Sequence, residues 1–319
     1  MTKKIIGIGN AIVDVLCKVE DQFLTQNSLF KNSMSLISDA EAHKLSQLSP
    51  EKITSGGSAG NTIAALAELG TKTVFIGKVG YDDFGKKFIN EISKSGVEFV
   101  SHGHHKDASA KSFILVTPDA HRTMCTYLGC ASQITKNDIK EEIFEGASIL
   151  YLEGYLWDAP ETILALKKAI FYAKKHGVKV AFSLSDSFCV SRHKEEFLDL
   201  ILKDLDILFA NETEALELAP NYKEIFHYNP DLISIITKSE KGCEVITAQG
   251  NFLKPAAKIE KLIDTTGAGD AFAAGFLYGL ANDCTLEKSA ELGNLLASKI
   301  IQKFGARFEE NEIQSLLKL

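Results

Sequence analysis

Two periodicities alternate along the chain. Apolar runs at Lys4–Ile8, Thr73–Val79, Ser148–Leu152, Val178–Leu184, Leu205–Ala210 and Leu232–Thr237 read as buried strands. Between most of them lie stretches with apolar residues at helical spacing. Thr62–Leu69 ends in Gly70, Phe84–Ser93 ends near Gly96, and Thr162–Lys175 ends in Gly177. A glycine just past the last periodic residue adopts the left-handed conformation without a Cβ penalty and so closes a helix. Ser38 followed by Glu41 has the spacing of a capping box that opens a short helix. Buried strands alternating with helices predict an α/β fold, a doubly wound and mostly parallel sheet flanked by helices.

One region breaks the alternation. Lys111–Thr117 and Arg122–Leu128 flank Pro118-Asp119-Ala120-His121, which predicts a β-hairpin around a proline-containing turn. Ala11–Val19 and Val97–Ser101 also read as strands with no helix to pair with them. The expectation is a single domain over 1–319, carrying a small β-rich lid built from about 11–36 and 97–130. No repeat or low-complexity tract argues otherwise.

With 45% hydrophobic residues in 319, the chain can bury a sizeable core. A formal net charge of −7 offers no broad basic field, which argues against nucleic-acid wrapping and anionic membranes as partners. The six cysteines have no C-x-x-C spacing, and the apolar N-terminal run is interrupted by Gly7, Gly9, Asn10 and Asp14. No stretch reaches the length of a membrane span. These features predict a cytoplasmic protein in a reducing compartment.

Asp264-Thr265-Thr266-Gly267-Ala268-Gly269-Asp270-Ala271-Phe272 carries the most chemical information. Phe272, Phe276, Leu277 and Leu280 recur at helical spacing, so a helix begins near Gly267. The first turn of a helix has unpaired N–H groups and a partial positive charge, and glycines there let an anion approach. Asp270 would set a carboxylate beside that anion site, where accepting the proton of an attacking hydroxyl is its natural task. The plainer reading is an acid stabilising the helix dipole.

These residues resemble the C-terminal signature of the ribokinase-like, or PfkB-type, carbohydrate and nucleoside kinases. Gly56-Gly57-Ser58-Ala59-Gly60-Asn61-Thr62 matches the family's N-terminal glycine motif, and the likeness runs from Ile5 to Arg307. The resemblance implies a ribokinase-like fold, with Asp270 as catalytic base and Gly267, Ala268 and Gly269 as an anion hole. It implies a lid hinge at Gly56-Gly57, and a substrate held by Asn10, Asp14, Gly56, Gly57 and Asn61. It implies ATP along Asn211, Thr237, Gly242 and Asn294, together with Gly267 and Gly269. Magnesium would be ordered by Glu214 through water, which suits an ion that keeps most of its own waters. Asn211 and Glu214 also fit a simple helix cap. A monovalent cation such as potassium near Asp264 belongs to the same expectation, as does a monomer or a homodimer.

The acceptor is read from three likenesses to the adenosine-phosphorylating branch. They are Gly7-x-Gly9-Asn10-x-x-x-Asp14, Asp119-Ala120-His121-Arg122-Thr123-Met124, whose arginine would reach the transferred phosphate, and Leu184-Ser185-Asp186-Ser187-Phe188. Ser183 and Asp186-Ser187 depart from that branch. The expected activity is therefore ATP-dependent phosphorylation of adenosine to AMP. The alternatives are a ribose, fructose or 2-keto-3-deoxygluconate kinase, or a catalytically silent sensor. A dinucleotide fold is disfavoured because Ile12 stands where a third glycine would be required, and no P-loop motif is present. His102, His104 and His105 read as a surface loop rather than a metal site, and Trp157 as core or site lining.

Overall fold

The computed structural model describes residues 3–31, 33–100, 107–119, 121–227, 229–309 and 312–314. The His102, His104 and His105 cluster lies outside the described residues. In chain order the strands are β1 (Lys4–Ile8), β2 (Ile12–Lys18), β3 (Met34–Leu36), β4 (Lys52–Ser55), β5 (Thr73–Ile76), β6 (Glu98–Val100) and β7 (Ala110–Val116). They continue with β8 (Arg122–Tyr127), β9 (Ala147–Glu153), β10 (Lys179–Ser183), β11 (Ile207–Asn211), β12 (Ile233–Thr237), β13 (Cys243–Thr247) and β14 (Gly250–Lys254). The helices are α1 (Asp21–Gln26), α2 (Asp39–Leu45), α3 (Ser58–Glu68), α4 (Asp83–Lys94) and α5 (Pro160–Lys175). After them come α6 (Ser187–Lys203), α7 (Glu212–Leu218), α8 (Ala268–Ala281) and α9 (Leu286–Ile300).

The main sheet has the order β14-β13-β12-β11-β10-β9-β1-β5-β6. It is parallel from β12 to β6 and antiparallel only at β13 and β14. Both faces are covered. Ile6 and Ile8 of β1 join Leu166, Ile170 and Phe182 on one side. Ile5 joins Ile63, Phe75, Phe272 and Phe276 on the other. Gly7 lies under α3, where a Cβ would fall 2.3 Å from Ile63 Cγ1, so the helix seats tightly on the first strand. The capping box of Ser38 and Glu41 opens α2 as expected.

A second sheet, ordered β3-β8-β7-β2-β4, makes the lid. Val15, Cys17, Phe113, Leu115 and Cys125 bury one face of it against Leu24 and Leu45 of α1 and α2. Alternation along β2 then turns Ile12, Asp14 and Leu16 toward the other face. Two boundaries differ from expectation. The Val97–Ser101 run does not join the lid: β6 pairs with β5 at the edge of the main sheet. There Phe99 packs on Phe75 and Phe88, at centroid distances of 6.0 and 5.4 Å. Conversely, β4 lies outside the expected lid bounds yet pairs with β2.

Candidate active site

Helix α8 opens on Gly267, which holds φ +77° in the left-handed region. A Cβ there would lie 2.5 Å from Ala306 Cβ, so glycine alone lets the C-terminal Gly305-Ala306-Arg307 segment close behind the loop. Of the three amides expected as an anion hole, Ala268 N–H already donates to Thr265 O at 3.2 Å. The first-turn amides of Gly269 and Asp270 have no carbonyl within the helix to bond. A Cβ on Gly269 would meet no atom within 4 Å, so the space in front of these donors is open.

Asp270 is gripped by the first turn of α3. Ser58 Oγ donates to Oδ1 at 2.7 Å, and Asn61 Nδ2 donates to Oδ2 at 2.9 Å. Thr62 Oγ1 donates to the Asp270 carbonyl at 3.2 Å. The two glycine motifs, some two hundred residues apart in the chain, therefore meet at one carboxylate. Burial raises its pKa from the ordinary aspartate value, and the hydrogen bonds from Asn61 and Ser58 and the Arg307 charge oppose that rise. Asn61, expected to face a sugar hydroxyl, spends its amide nitrogen on Asp270. Its Oδ1 is buried without a partner, as is Oδ1 of Asn10. Two orphaned acceptors beside the base suit a ligand that brings hydroxyl donors.

Asp14 lies against Gly56, where a Cβ would fall 2.3 Å from Oδ2. Gly57 has φ +81°, and a Cβ there would fall 2.2 Å from the Asn10 carbonyl. Burial pushes Asp14 up to about 7; Arg307 opposes the shift and Asp270 adds to it.

One site residue went unrecognised in the sequence. Glu153, 1% exposed at the end of β9, accepts the Asn10 N–H at Oε1 and the Ala59 N–H at Oε2, both at 2.7 Å. It ties the turn after β1 to the start of α3. An acid ending the apolar run Ser148–Leu152 was the available signal. Burial raises its pKa to about 7, against the pull of the two amides. The raised value means that Glu153 contributes most to stability while protonated, below the unfolded value near 4.5. That contribution is lost as pH rises through about 7. Glu153→Gln keeps the neutral form but turns an amide donor on one N–H, at an expected cost of roughly 1–3 kcal/mol. Thermal denaturation between about pH 5 and pH 8 should show a smaller fall in Tm for the variant than for the parent. Equal slopes would contradict this role.

Two cavities reach residues next to Asp270: Ser58, which holds its carboxylate, lines one, and Gly269, which precedes it, lines the other. One, of about 330 Å³, is lined by Asn10, Ser58 and Glu153 and walled by Met34, Leu36, Met124, Leu128, Tyr155 and Phe188. Phe188 comes from the Leu184–Phe188 segment, whose Ser185 takes φ +72° and accepts the Gly154 N–H through Oγ at 2.8 Å. The second cavity, of about 580 Å³, brings together Thr237, Gly242, Thr265, Ala268, Gly269, Phe272 and Asn294. Gly242 needs its φ of +91°, because a Cβ would meet the Lys254 carbonyl at 2.0 Å. Asn294 donates to the carbonyls of Lys254 and Pro255 at 3.2 and 3.0 Å.

Asn211 sits beside Thr237 in the β11–β12 register and caps α7. Glu214 is buried, and its oxygens accept from Asn211 N at 3.0 Å and Asn211 Nδ2 at 2.5 Å. Both oxygens thus serve the capping box that opens α7, the simpler of the two roles the sequence allows for this pair. Burial raises Glu214 to about 7.

Arg122, expected at the transferred phosphate, instead pairs with Asp264 and donates to Thr266 Oγ1 at 2.7 Å. Its guanidinium also lies 5.7 Å from the centre of the Phe304 ring. Asp264 further accepts from the Gly305 N–H at 2.8 Å and from Thr266. Burial raises its pKa, but those donors outweigh it and hold the carboxylate below the ordinary range. The lid's own arginine thus places a positive charge at Asp264 and fastens the lid to the loop that carries Gly267. Among the described residues no helix is long and apolar enough to cross a membrane, and no cluster of metal-ligating side chains is found.

Residues 31–313 match the pfkB family carbohydrate kinase domain. The fold superposes on the adenosine kinase of Sinorhizobium meliloti with a TM-score of 0.91 and 37% identity, covering 100% of both chains. A probable sugar kinase of Rhizobium etli gives the same TM-score at 38% identity, covering 100% of this chain and 98% of that one. The adenosine kinase of Saccharomyces cerevisiae is 29% identical over 98% of this chain and 99% of its own length.

Proposed function

This chain belongs to the pfkB family of carbohydrate kinases, and we propose that its acceptor is a nucleoside, adenosine, which it phosphorylates to AMP at the expense of ATP. One observation carries the choice of acceptor. The cavity that reaches Ser58, the partner of Asp270, has Met34, Leu36, Met124, Leu128, Tyr155 and Phe188 in its lining, alongside the polar Thr126, Asp158 and Arg192. A free sugar has hydroxyls on nearly every carbon and gains little from such walls. A nucleoside divides in two: a flat apolar base suits the thioethers and rings, and a ribose suits Asn10, Asp14 and Asn61. The likeness to the two adenosine kinases supports the same reading.

The chain's own residues then divide the work. Ser58 and Asn61 fix the rotamer of Asp270, so that one carboxylate edge points at the acceptor hydroxyl and receives its proton. The open amides of Gly269 and Asp270 stabilise charge on the phosphoryl group in flight. ATP supplies that group, with magnesium neutralising its phosphates. The lid strands β3 and β8 cover the acceptor and exclude water, which would otherwise compete for the phosphate.

The test is ADP release with ATP and magnesium, across adenosine, inosine, ribose, fructose and 2-keto-3-deoxygluconate. Turnover of adenosine with a KM in the micromolar range is expected. Turnover of free sugars alone would overturn the nucleoside reading and leave the kinase in place.

A further inference from the structure

Arg307 takes no part in the chemistry described so far. Its guanidinium Nε and Nη2 are shut off from solvent and have no hydrogen-bond partner. Burying such a group without partners is costly, so its placement asks for an account. The packing supplies one. Nη2 comes within 3.5 Å of where a Cβ of Gly60 would stand, beside the rings of Phe75 and Phe88. Gly60 belongs to the same first turn of α3 that grips Asp270. From the other side, Gly305 is tied to Asp264, and Ala306 fills the space left by Gly267. Three consecutive residues thus touch the loop, the glycine that opens α8 and the helix that holds the base.

We propose that Arg307 is a positioning residue of the kinase: seated in the gap left by Gly60, its half-buried guanidinium supplies the positive charge that offsets the carboxylates of Asp14 and Asp270 across the acceptor site. The carboxylates whose field reaches it come from every neighbouring element. They are Asp14 on β2, Glu68 on α3, Glu91 on α4 and Asp270 on α8. Glu153 on β9 adds its charge to Asp270's surroundings, and Lys303 adds its own to those of Glu68. Glu91 is already paired with Lys87 and the Ser55 N–H. Among the described residues Asp14 has no comparable partner, and Asp270 has neutral donors only, Ser58 and Asn61. With Nε and Nη2 shielded from solvent and without a hydrogen-bond partner among the described residues, the guanidinium acts on both through its field, which is weakly screened where water is kept out. A base must be ionised to accept a proton. A second carboxylate nearby and incoming phosphates both oppose ionisation, and Arg307 opposes them in turn.

The proposal rests on Asp270 as the base, and the experiment keeps the two apart. Rate against pH is measured with adenosine (or the acceptor the screen selects), ATP and magnesium, for the parent, Arg307→Met and Arg307→Lys. For Arg307→Met the acid limb of kcat/KM should move up by about one pH unit or more, with rates at high pH within several-fold of the parent. Arg307→Lys keeps the charge on a different stem and should restore most of the limb. If Arg307→Met does not fold, the equally neutral Arg307→Gln takes its place, with the same upward shift expected. A uniform loss of rate with the limb unmoved in the neutral variant would reduce Arg307 to a packing residue. Full activity of Asp270→Asn would instead sink the base assignment, whatever the limb does.

Discussion

Replacing Asp270 by Asn is expected to lower turnover by roughly 10²–10⁴-fold while leaving the KM for acceptor and ATP close to the parent values. The substitution is nearly isosteric. Ser58 Oγ, 2.7 Å from Oδ1, can still donate to the amide oxygen, so the first turn of α3 and the start of α8 stay joined. The other contact is lost, because Asn61 Nδ2 would face an amide nitrogen where it now meets Oδ2 at 2.9 Å. That costs on the order of 1 kcal/mol of stability, too little to unfold the protein. What disappears is the group that accepts the hydroxyl proton. Steady-state kinetics, read beside a thermal melt, separate the two effects. A variant with parental turnover would show that the proton leaves by another route, and Asp270 would revert to a dipole-stabilising acid.

How much of this was legible beforehand follows from the range over which each signal acts. Strand Lys4–Ile8 and helix Pro160–Lys175 were readable because burial imposes a period on the chain itself. The Gly267–Asp270 loop was readable because an anion site at a helix start demands particular residue types in sequence. Helix α6 has no readable period because the polar run Ser191-Arg192-His193-Lys194-Glu195-Glu196 separates Val190 from Phe197, and the helix kinks within that run at His193, with φ −122° and ψ 27°. Lid strand β4 escaped because Lys52-Ile53-Thr54-Ser55 has no apolar run, its place being set by pairing with β2. Val97–Ser101 has strand composition in either sheet, and only the rings of Phe75 and Phe88 decide which one it joins. Glu153 and Arg307 act through contacts with residues 94 or more positions away; an acid at the end of an apolar run is the one local sign of Glu153, and no local pattern marks Arg307. Arg122 is marked in the sequence, but Asp264 and Thr266 as its partners are not. A hairpin arginine in sequence has a charge and no address, and the fold supplies Asp264 and Thr266 as that address.

Gly267→Ala is expected to cost roughly 10²–10³-fold in turnover and to raise the KM for ATP, again without unfolding the chain. Two separable strains follow from one added methyl. The residue sits at φ +77°, where an L side chain costs about 1–2 kcal/mol. The new Cβ would also press on Ala306, 2.5 Å from its Cβ and 2.8 Å from its Cα. Either the loop shifts toward the cleft, displacing the Gly269 and Asp270 amides, or the Gly305–Arg307 segment retreats and loosens the Gly305 bond to Asp264. Both movements spoil an arrangement that must hold donors close to the flying phosphoryl group. Adding Ala306→Gly removes the Cβ–Cβ clash but leaves the backbone contact and the left-handed strain. The double variant should therefore recover part of the lost turnover and not all of it, a coupling that a mutant cycle reads directly. Kinetics on the two single variants and the double, with circular dichroism to confirm the fold, measure it. Parental turnover in Gly267→Ala alone would mean that the loop tolerates displacement, and the anion hole would have to be sought elsewhere along α8.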